Sequence, residues 1–335
     1  MVHDDSFRIL TLTGGGFRGL YTAKVLEELE NEYGYPIGRF FNLIAGTSIG
    51  GILALAVAAE IPMSDVVKLF EQHGDKIFKK RKANLFSIKR STYSIDVLKE
   101  QLEIMFKEDK LGSLKHNVII PAINFSVGKP VVFKTPHHHT FKRDKHHLIV
   151  DVALATSAAP IYFPKYVFDN TQYVDGGLFA NNPSMLAIHE AQYFLNAKQE
   201  NILLLNVGTL SSRISANPKT NKLGGMLDWA HGKNLSNAPK NIIELTLSTQ
   251  QQMMTFITQH LLKERYLSID ENLTNEAANY VSLDRADAAA KEVLLSTAMQ
   301  NSKEALGKEL IKTIFLKPVE LHNTAIQPNT EDSNE

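Results

Sequence analysis

The sequence predicts an α/β protein in three layers, α/β/α, with a mostly parallel central sheet and a helical C-terminal extension. Three observations predict it. Short apolar, strand-like runs alternate with amphipathic helical ones between residues 7 and 208. Two strand-to-helix junctions are glycine turns, Gly14-Gly15-Gly16-Phe17-Arg18-Gly19 and Gly46-Thr47-Ser48-Ile49-Gly50. Residues 242–316 keep helical spacing.

Residues 7–13 read as a buried strand, the first glycine turn follows, and residues 20–29 form an amphipathic helix. Residues 41–45 are a second strand that runs into the second glycine turn, and the apolar stretch 52–59 is a buried helix. Pro62 and Ser64-Asp65 open a helix that ends at residue 77. The stretch 79–90 then mixes Lys79, Lys80, Arg81, Lys82, Lys89 and Arg90 with Leu85, Phe86 and Ile88. It reads as a solvated surface, an anionic-membrane contact or a contact to a phosphate-bearing ligand. Ile95, Leu98, Leu102 and Met105 give residues 94–106 one apolar helical face.

Residues 118–125 and 131–133 are strands joined by a turn at Gly128. The histidines at 137–139, 146 and 147 lack metal-ligand spacing with Asp or Glu, so an exposed hydrophilic loop is expected. A short helix at 149–157, a strand at 172–174 delivering Asp175-Gly176-Gly177, a helix opened by Asn182 and Pro183, and a strand at 202–208 complete the core. Residues 211–240, with the single tryptophan Trp229, form a long polar loop. One catalytic unit is expected over residues 1–322, with its core at 7–208 and its helical part at 242–316. A flexible tail is expected at 323–335.

Composition narrows the function. At 335 residues, 44% hydrophobic and 21% charged, the chain can bury a large core. Its formal net charge of zero supplies no global field for nucleic acid, which is not an expected partner. The absence of cysteine excludes disulfides, cysteine-ligated zinc and a thiol nucleophile, and accords with a reducing cytoplasm. The N-terminus has early acidic charges and no long apolar run, so no signal peptide is expected. No segment has the apolar length to span a bilayer, so a lipid substrate would be met from the surface.

A G-x-S-x-G sequence between a strand and a buried helix is the pattern of a nucleophile elbow. Its glycines leave room beside a strained serine, and the helix N-terminus favours the negative charge that ester hydrolysis develops. The same residues could be no more than a helix N-cap. The first glycine turn also fits the dinucleotide fingerprint, but the second strand ends in Ala45-Gly46-Thr47-Ser48, without the acidic residue that would hold a ribose. Consecutive glycines suit an oxyanion hole better, since their N–H groups can converge on one point. A serine needs a base. His189, His231 and His260 lie downstream of an acid, but none stands at a strand end; Asp175 does. A carboxylate bonded directly to the serine and partly desolvated is an adequate base, although Asp-Gly is also a common turn pair.

Taken in order, Gly14–Gly19, Gly46–Gly50 and Asp175–Gly177 resemble the motifs of the patatin-like phospholipases, as do residues 155–160 with Phe163 and Asn181-Asn182-Pro183. The likeness spans about residues 7–208 and implies a patatin-like fold. It implies Ser48 as nucleophile and Asp175 as base, an oxyanion hole at Gly14, Gly15 and Gly16 with Arg18 in support, and no metal or other cofactor. The implied substrates are glycerolipid esters, met by peripheral contact with the inner membrane from the cytoplasm. Thr13 departs from the Asp many members carry there, which changes how the glycine loop is fastened. Residues 7–13, 42–59 and 61–62 further resemble bacterial patatin-like effectors of cyclic-oligonucleotide antiphage signalling. That implies a cyclic di- or trinucleotide activator, whose site the motifs leave unassigned, and degradation of the host's own membrane. Self-association stays open. The competing reading from another class is a nucleotide-binding or scaffolding protein with an inactive lipase site; a Rossmann oxidoreductase ranks last.

Overall fold

The computed structural model describes residues 6–81, 90–210, 224–230, 237–270 and 280–320. The expected tail at 323–335, most of the polar stretch 211–240 and residues 82–89 lie outside the described residues. Eight strands form one mixed sheet. At its centre β1 (Phe7–Leu12) lies between β2 (Leu43–Gly46) and β7 (Ile202–Val207), all parallel. These strands are covered on both faces, which is why their sequences are nearly continuous apolar runs. Beyond β2 comes β3 (Val118–Asn124), which also pairs antiparallel with β4 (Lys129–Lys134) and β6 (Thr171–Asp175). A short β5 (Tyr166–Phe168) closes that edge against β6.

Alternation along the strands divides the core in two. Leu10, Leu12 and Ile44 face a large cluster built by α1 (Gly19–Tyr33), α2 (Ile49–Ala58), α3 (Met63–Ile77), α4 (Asp96–Phe106) and α5 (Ile149–Thr156). Ile9, Leu43 and Ala45 face the opposite way, onto α7 (Ser184–Phe194), which follows a single turn, α6 (Gly177–Ala180). Nine of the ten residues of α2 are buried, so its sequence is apolar all round rather than on one stripe.

The C-terminal part is not wholly helical, as its periodicity predicts. Between α9 (Asn237–Leu262) and α10 (Ala288–Leu306) the chain lays down β8 (Tyr266–Ile269), parallel to β7 in the register Leu204↔Tyr266 to Val207↔Ile269. Four residues are too few to show a strand period, and it is pairing with β7 that extends them. Strand β5 escaped detection for the same reason. It turns into β6 through Asp169-Asn170, both at positive φ (48° and 53°), the geometry of a two-residue hairpin. The preceding single turn α8 (Met226–Trp229) packs on α9, and the final α11 (Glu309–Ile314) is tied to β1 by Arg8, whose Nη1 donates to the carbonyl of Ile314 at 2.7 Å.

The histidine-rich stretch is also not a uniformly exposed loop. His137 is buried, with Nδ1 bonded to Thr135 Oγ1 at 2.8 Å and Nε2 to Glu190 Oε1 at 3.0 Å. It stitches the end of β4 to α7, a contact between segments far apart in sequence.

One polar side chain fastens the sheet centre. Asn206 Oδ1 accepts from the hydroxyls of Thr11 (3.0 Å) and Thr13 (3.2 Å), and its Nδ2 donates to Ser268 Oγ on β8 at 2.9 Å. All but Ser268 are fully buried; without the amide the Thr13 hydroxyl loses its side-chain partner, and the Thr11 hydroxyl keeps only Ser184 Oγ at 3.0 Å. Asn206→Ala is expected to lower the unfolding free energy by about 2–4 kcal/mol, read from urea denaturation.

Candidate active site

The site is set by the two edges of β3. Ile119 pairs with Lys134 of β4 and Ala45 of β2; Ala122 pairs with Val131 of β4 and Asp175 of β6. With β4 along one edge, β2 and β6 share the other, and they run toward each other. Their C-terminal ends meet opposite residues 120–121, where Pro121, which has no N–H to offer a ladder, occupies the gap. The elbow after β2 and the carboxylate ending β6 are thereby brought head to head.

Ser48 sits on the elbow with φ 57° and ψ −129°, a conformation L-residues seldom adopt. The glycines are required by contact: a Cβ at Gly46 would lie 2.0 Å from the carbonyl oxygen of Gly50, and one at Gly50 2.3 Å from that of Leu12. Thr47 braces the turn by donating its hydroxyl to the carbonyl of Ala180 at 2.6 Å. Ser48 donates its own N–H to Thr156 Oγ1 at 3.0 Å, and Thr156 in turn donates to the carbonyl of Pro121 at 2.6 Å. The carbonyl at the gap in the ladder thus anchors the strained residue.

Ser48 Oγ donates to Asp175 Oδ2 at 2.6 Å, and Asp175 Oδ1 accepts the Gly177 N–H at 2.7 Å. Burial pushes the Asp175 carboxyl up to about 6, against the opposing effect of both hydrogen bonds. Neither of the two described downstream histidines bonds Ser48. His189 lies on α7, His260 bonds the carbonyl of Phe256 on α9, and His231 lies outside the described residues.

The glycine loop closes over the same point. The Gly14 N–H is already engaged by the carbonyl of Asn181 at 3.0 Å, so it is not free for an oxyanion. Gly15 and Gly16 line the cavity beside Ser48, and their N–H groups have no hydrogen-bond partner among the described residues. Gly16 has φ +58°, and a Cβ there would stand 2.2 Å from the carbonyl oxygen of Leu283. Arg18 is buried behind the loop rather than in the cavity. Its Nε donates to the carbonyl of Gly15 at 3.4 Å, and burial lowers its proton affinity against the charges of Glu244 and Asp270. Thr13 makes no contact with the carboxylate; its hydroxyl bonds Asn206.

From Ser48 a partly open apolar cavity runs between α3, α4 and α9, lined by side chains such as Phe70, Leu102, Met105, Phe163 and Leu247. It fits an extended hydrocarbon chain far better than a polar substrate. Among the described residues no three His, Asp or Glu side chains form a metal-binding group.

Residues 10–188 match the family model for patatin-like phospholipases. A "cGAMP-activated phospholipase" of Pseudomonas aeruginosa is 39% identical over 92% of this chain and 91% of its own length. A "cGAMP-activated phospholipase" of Vibrio cholerae is 34% identical over 92% of this chain and 94% of its own. A "cUMP-AMP-activated phospholipase" of Escherichia coli is 30% identical over 62% of this chain and 65% of its own.

The chain belongs to the patatin-like phospholipase family.

In this patatin-like chain, motif spacing singled out Ser48, Asp175 and the glycine loop, and the first two are hydrogen-bonded in the structure, but it left two anchors without a role. Thr156 was visible only as part of a connecting motif. Asn181 holds Gly14 from both sides, accepting its N–H and donating Nδ2 to its carbonyl at 3.3 Å. Both act through backbone groups more than 100 residues away, and no local pattern marks such contacts. Thr156→Val keeps the side-chain shape while removing both hydrogen bonds. It is expected to lower kcat for a soluble ester by about 10- to 100-fold with little change in KM, measured by steady-state kinetics.

Proposed function

We propose that this protein is a serine acyl hydrolase of the phospholipase A type, cleaving fatty-acyl esters of membrane phospholipids through a Ser48–Asp175 dyad. A cyclic di- or trinucleotide made on infection switches it on, and it then degrades the host cell membrane from the cytoplasmic side in antiphage defence. The observation that carries the reading is the 2.6 Å bond from Ser48 Oγ to a buried carboxylate at the mouth of an apolar cavity. The nucleotide part is supported by the names of relatives that match over nine-tenths of this chain. No helix among the described residues is long and apolar enough to cross a membrane, which agrees with peripheral action.

The chemistry follows from the geometry. Asp175 takes the Ser48 proton as Oγ attacks the acyl carbonyl. The N–H groups of Gly15 and Gly16 receive the oxyanion, and Arg18 holds the Gly15 carbonyl from behind. Asp175 passes its proton to the departing lysolipid oxygen, then deprotonates water, which attacks the acyl-enzyme, and returns that proton to Ser48 Oγ as the acyl–Oγ bond breaks and the fatty acid leaves. The raised proton affinity of Asp175 makes it a stronger base than an exposed carboxylate, yet still ionised at neutral pH. A scaffolding role would not require a serine, an ionisable base and two open N–H donors around one point.

Ser48→Ala and Asp175→Asn are each expected to reduce fatty-acid release from phospholipid vesicles by at least about 1,000-fold. Full activity in either variant sinks the dyad. Addition of cyclic oligonucleotides is expected to raise wild-type release at least tenfold; no response to any of them removes the signalling role and leaves the hydrolase.

Because the base must be ionised, kcat/KM is expected to fall tenfold per pH unit below about 6. The linkage has the opposite sign. A carboxyl whose proton affinity rises on folding stabilises the fold most at low pH, and that stability is lost as pH rises through about 6. Asp175→Asn is therefore expected to be at least as stable as wild type at pH 8, with the difference shrinking toward pH 4, read from thermal melts.

A further inference from the structure

Beside the acyl cavity lies a second, larger concavity of ≈ 1100 Å³. Phe163 lines both. Among the described residues five cations line the second one, Lys80, Arg81, Arg90, Lys165 and Lys240, and no carboxylate does. In a chain whose charges sum to zero, this is a concentrated local excess. Only Lys240 has an acidic partner among the described residues. Lys165 Nζ instead stands 4.2 Å over the ring of Phe125, which is half exposed, and Lys240 Nζ stands 4.7 Å over the ring of Tyr162. Cations left without carboxylates are poised for an anion from outside.

The frame under these cations is ordered. The Arg81 N–H donates to the carbonyl of Thr92 at 3.1 Å, the Thr92 N–H to that of Ile161 at 2.8 Å, and the Tyr93 N–H to that of Tyr162 at 2.8 Å. This ladder ties the backbone of Arg81, and of Thr92 two residues beyond Arg90, to the wall of the acyl cavity. The exposed faces of Phe125 and Ile161 offer an apolar surface between the charges. Separated cations around an open aromatic face suit a molecule that carries both phosphodiester groups and planar bases.

Lys240 belongs to both sides of the wall. Its Nζ donates to Asp284 Oδ2 at 2.9 Å, an atom that also accepts from Tyr93 Oη at 2.6 Å. The neighbouring Leu283 carbonyl accepts the Phe17 N–H at 2.8 Å and packs directly against Gly16. The hold on Asp284 is thus a hold on the segment that presses on the proposed oxyanion loop.

We infer that this basic groove binds a phosphodiester ligand, and that a phosphate drawing Lys240 away from Asp284 releases the Leu283 segment from the glycine loop. The regulatory consequence rests on the nucleotide-activated hydrolase proposed above. The same phosphodiester chemistry is carried by a soluble cyclic nucleotide and by a lipid headgroup, so the test has an arm for each.

The full-length chain is compared with Arg90→Glu/Lys165→Glu and with the milder Arg90→Gln/Lys165→Gln, each checked by thermal melting. Calorimetry with cGAMP in the absence of lipid reads the soluble arm. Co-sedimentation with phosphatidylglycerol vesicles, against phosphatidylcholine, reads the lipid arm. The expected result is a cGAMP Kd at least tenfold weaker in the Glu pair and intermediate in the Gln pair, with sedimentation unchanged. Lost sedimentation with unchanged cGAMP affinity keeps the phosphodiester groove and assigns it to headgroups. Folded variants that match wild type in both arms overturn the groove. A wild type that neither binds nor responds to cGAMP counts against the nucleotide reading, and sedimentation alone then decides the groove. For the coupling, Asp284→Asn is expected to raise nucleotide-free fatty-acid release at least fivefold. Unchanged basal release with full cGAMP stimulation overturns it.

Discussion

Everything at the site depends on two strands sharing one edge of a third. Strands β2 and β6 enter from opposite ends and stop where β3 has Pro121 and no ladder to offer. The serine turn and the carboxylate therefore meet without a long loop between them. A slip of one residue in the β3–β6 pairing would turn Asp175 to the other face of the sheet, and one in the β2–β3 pairing would shift the serine turn away from it. The pairing with β4 along the opposite edge, six residues long, holds β3 against such a slip.

The arrangement stores unfavourable terms at its centre and offsets them nearby. Ser48 occupies a strained backbone conformation, and Asp175 is a carboxylate removed from water. Thr156 secures the first and Gly177 the second. Thr156 returns to the gap in β3 by bonding the Pro121 carbonyl, and Gly176, next to Gly177, approaches that carbonyl too closely for any side chain. Under the proposed chemistry, the strain keeps Oγ exposed at the head of α2, and the desolvation makes the carboxylate a better base.

The C-terminal residues complete the site rather than decorate it. Helix α9 supplies Leu247 to the cavity wall and Gln250 to the Asn182 N–H. After β8, Asp270 accepts the Leu210 N–H, which fixes the turn that brings Thr209 Oγ1 onto the Gly14 carbonyl at 3.2 Å. The segment before α10 then meets the glycine loop through Leu283. The glycine loop is thus held by groups about 160 to 270 residues downstream.

By itself the sequence determined the alternation of strands and helices, the two glycine turns and the carboxylate at a strand end. Each is written in residues adjacent along the chain: strand period, helix period, and glycines where a Cβ cannot fit. Those short-range rules located Ser48 and Asp175 but could not say that they touch. That was decided by the register of β3, which no local pattern encodes. Tertiary structure also made a strand of Tyr266–Ile269, buried His137 against Glu190, gave Thr156 and Asn181 their anchoring roles, and engaged the Gly14 N–H with the Asn181 carbonyl. The physical reason is common to all of these. A residue's local conformational preference amounts to a fraction of a kcal/mol, whereas a strand pairing or a buried hydrogen bond, once its partner arrives from elsewhere in the chain, contributes about 1 kcal/mol or more and prevails.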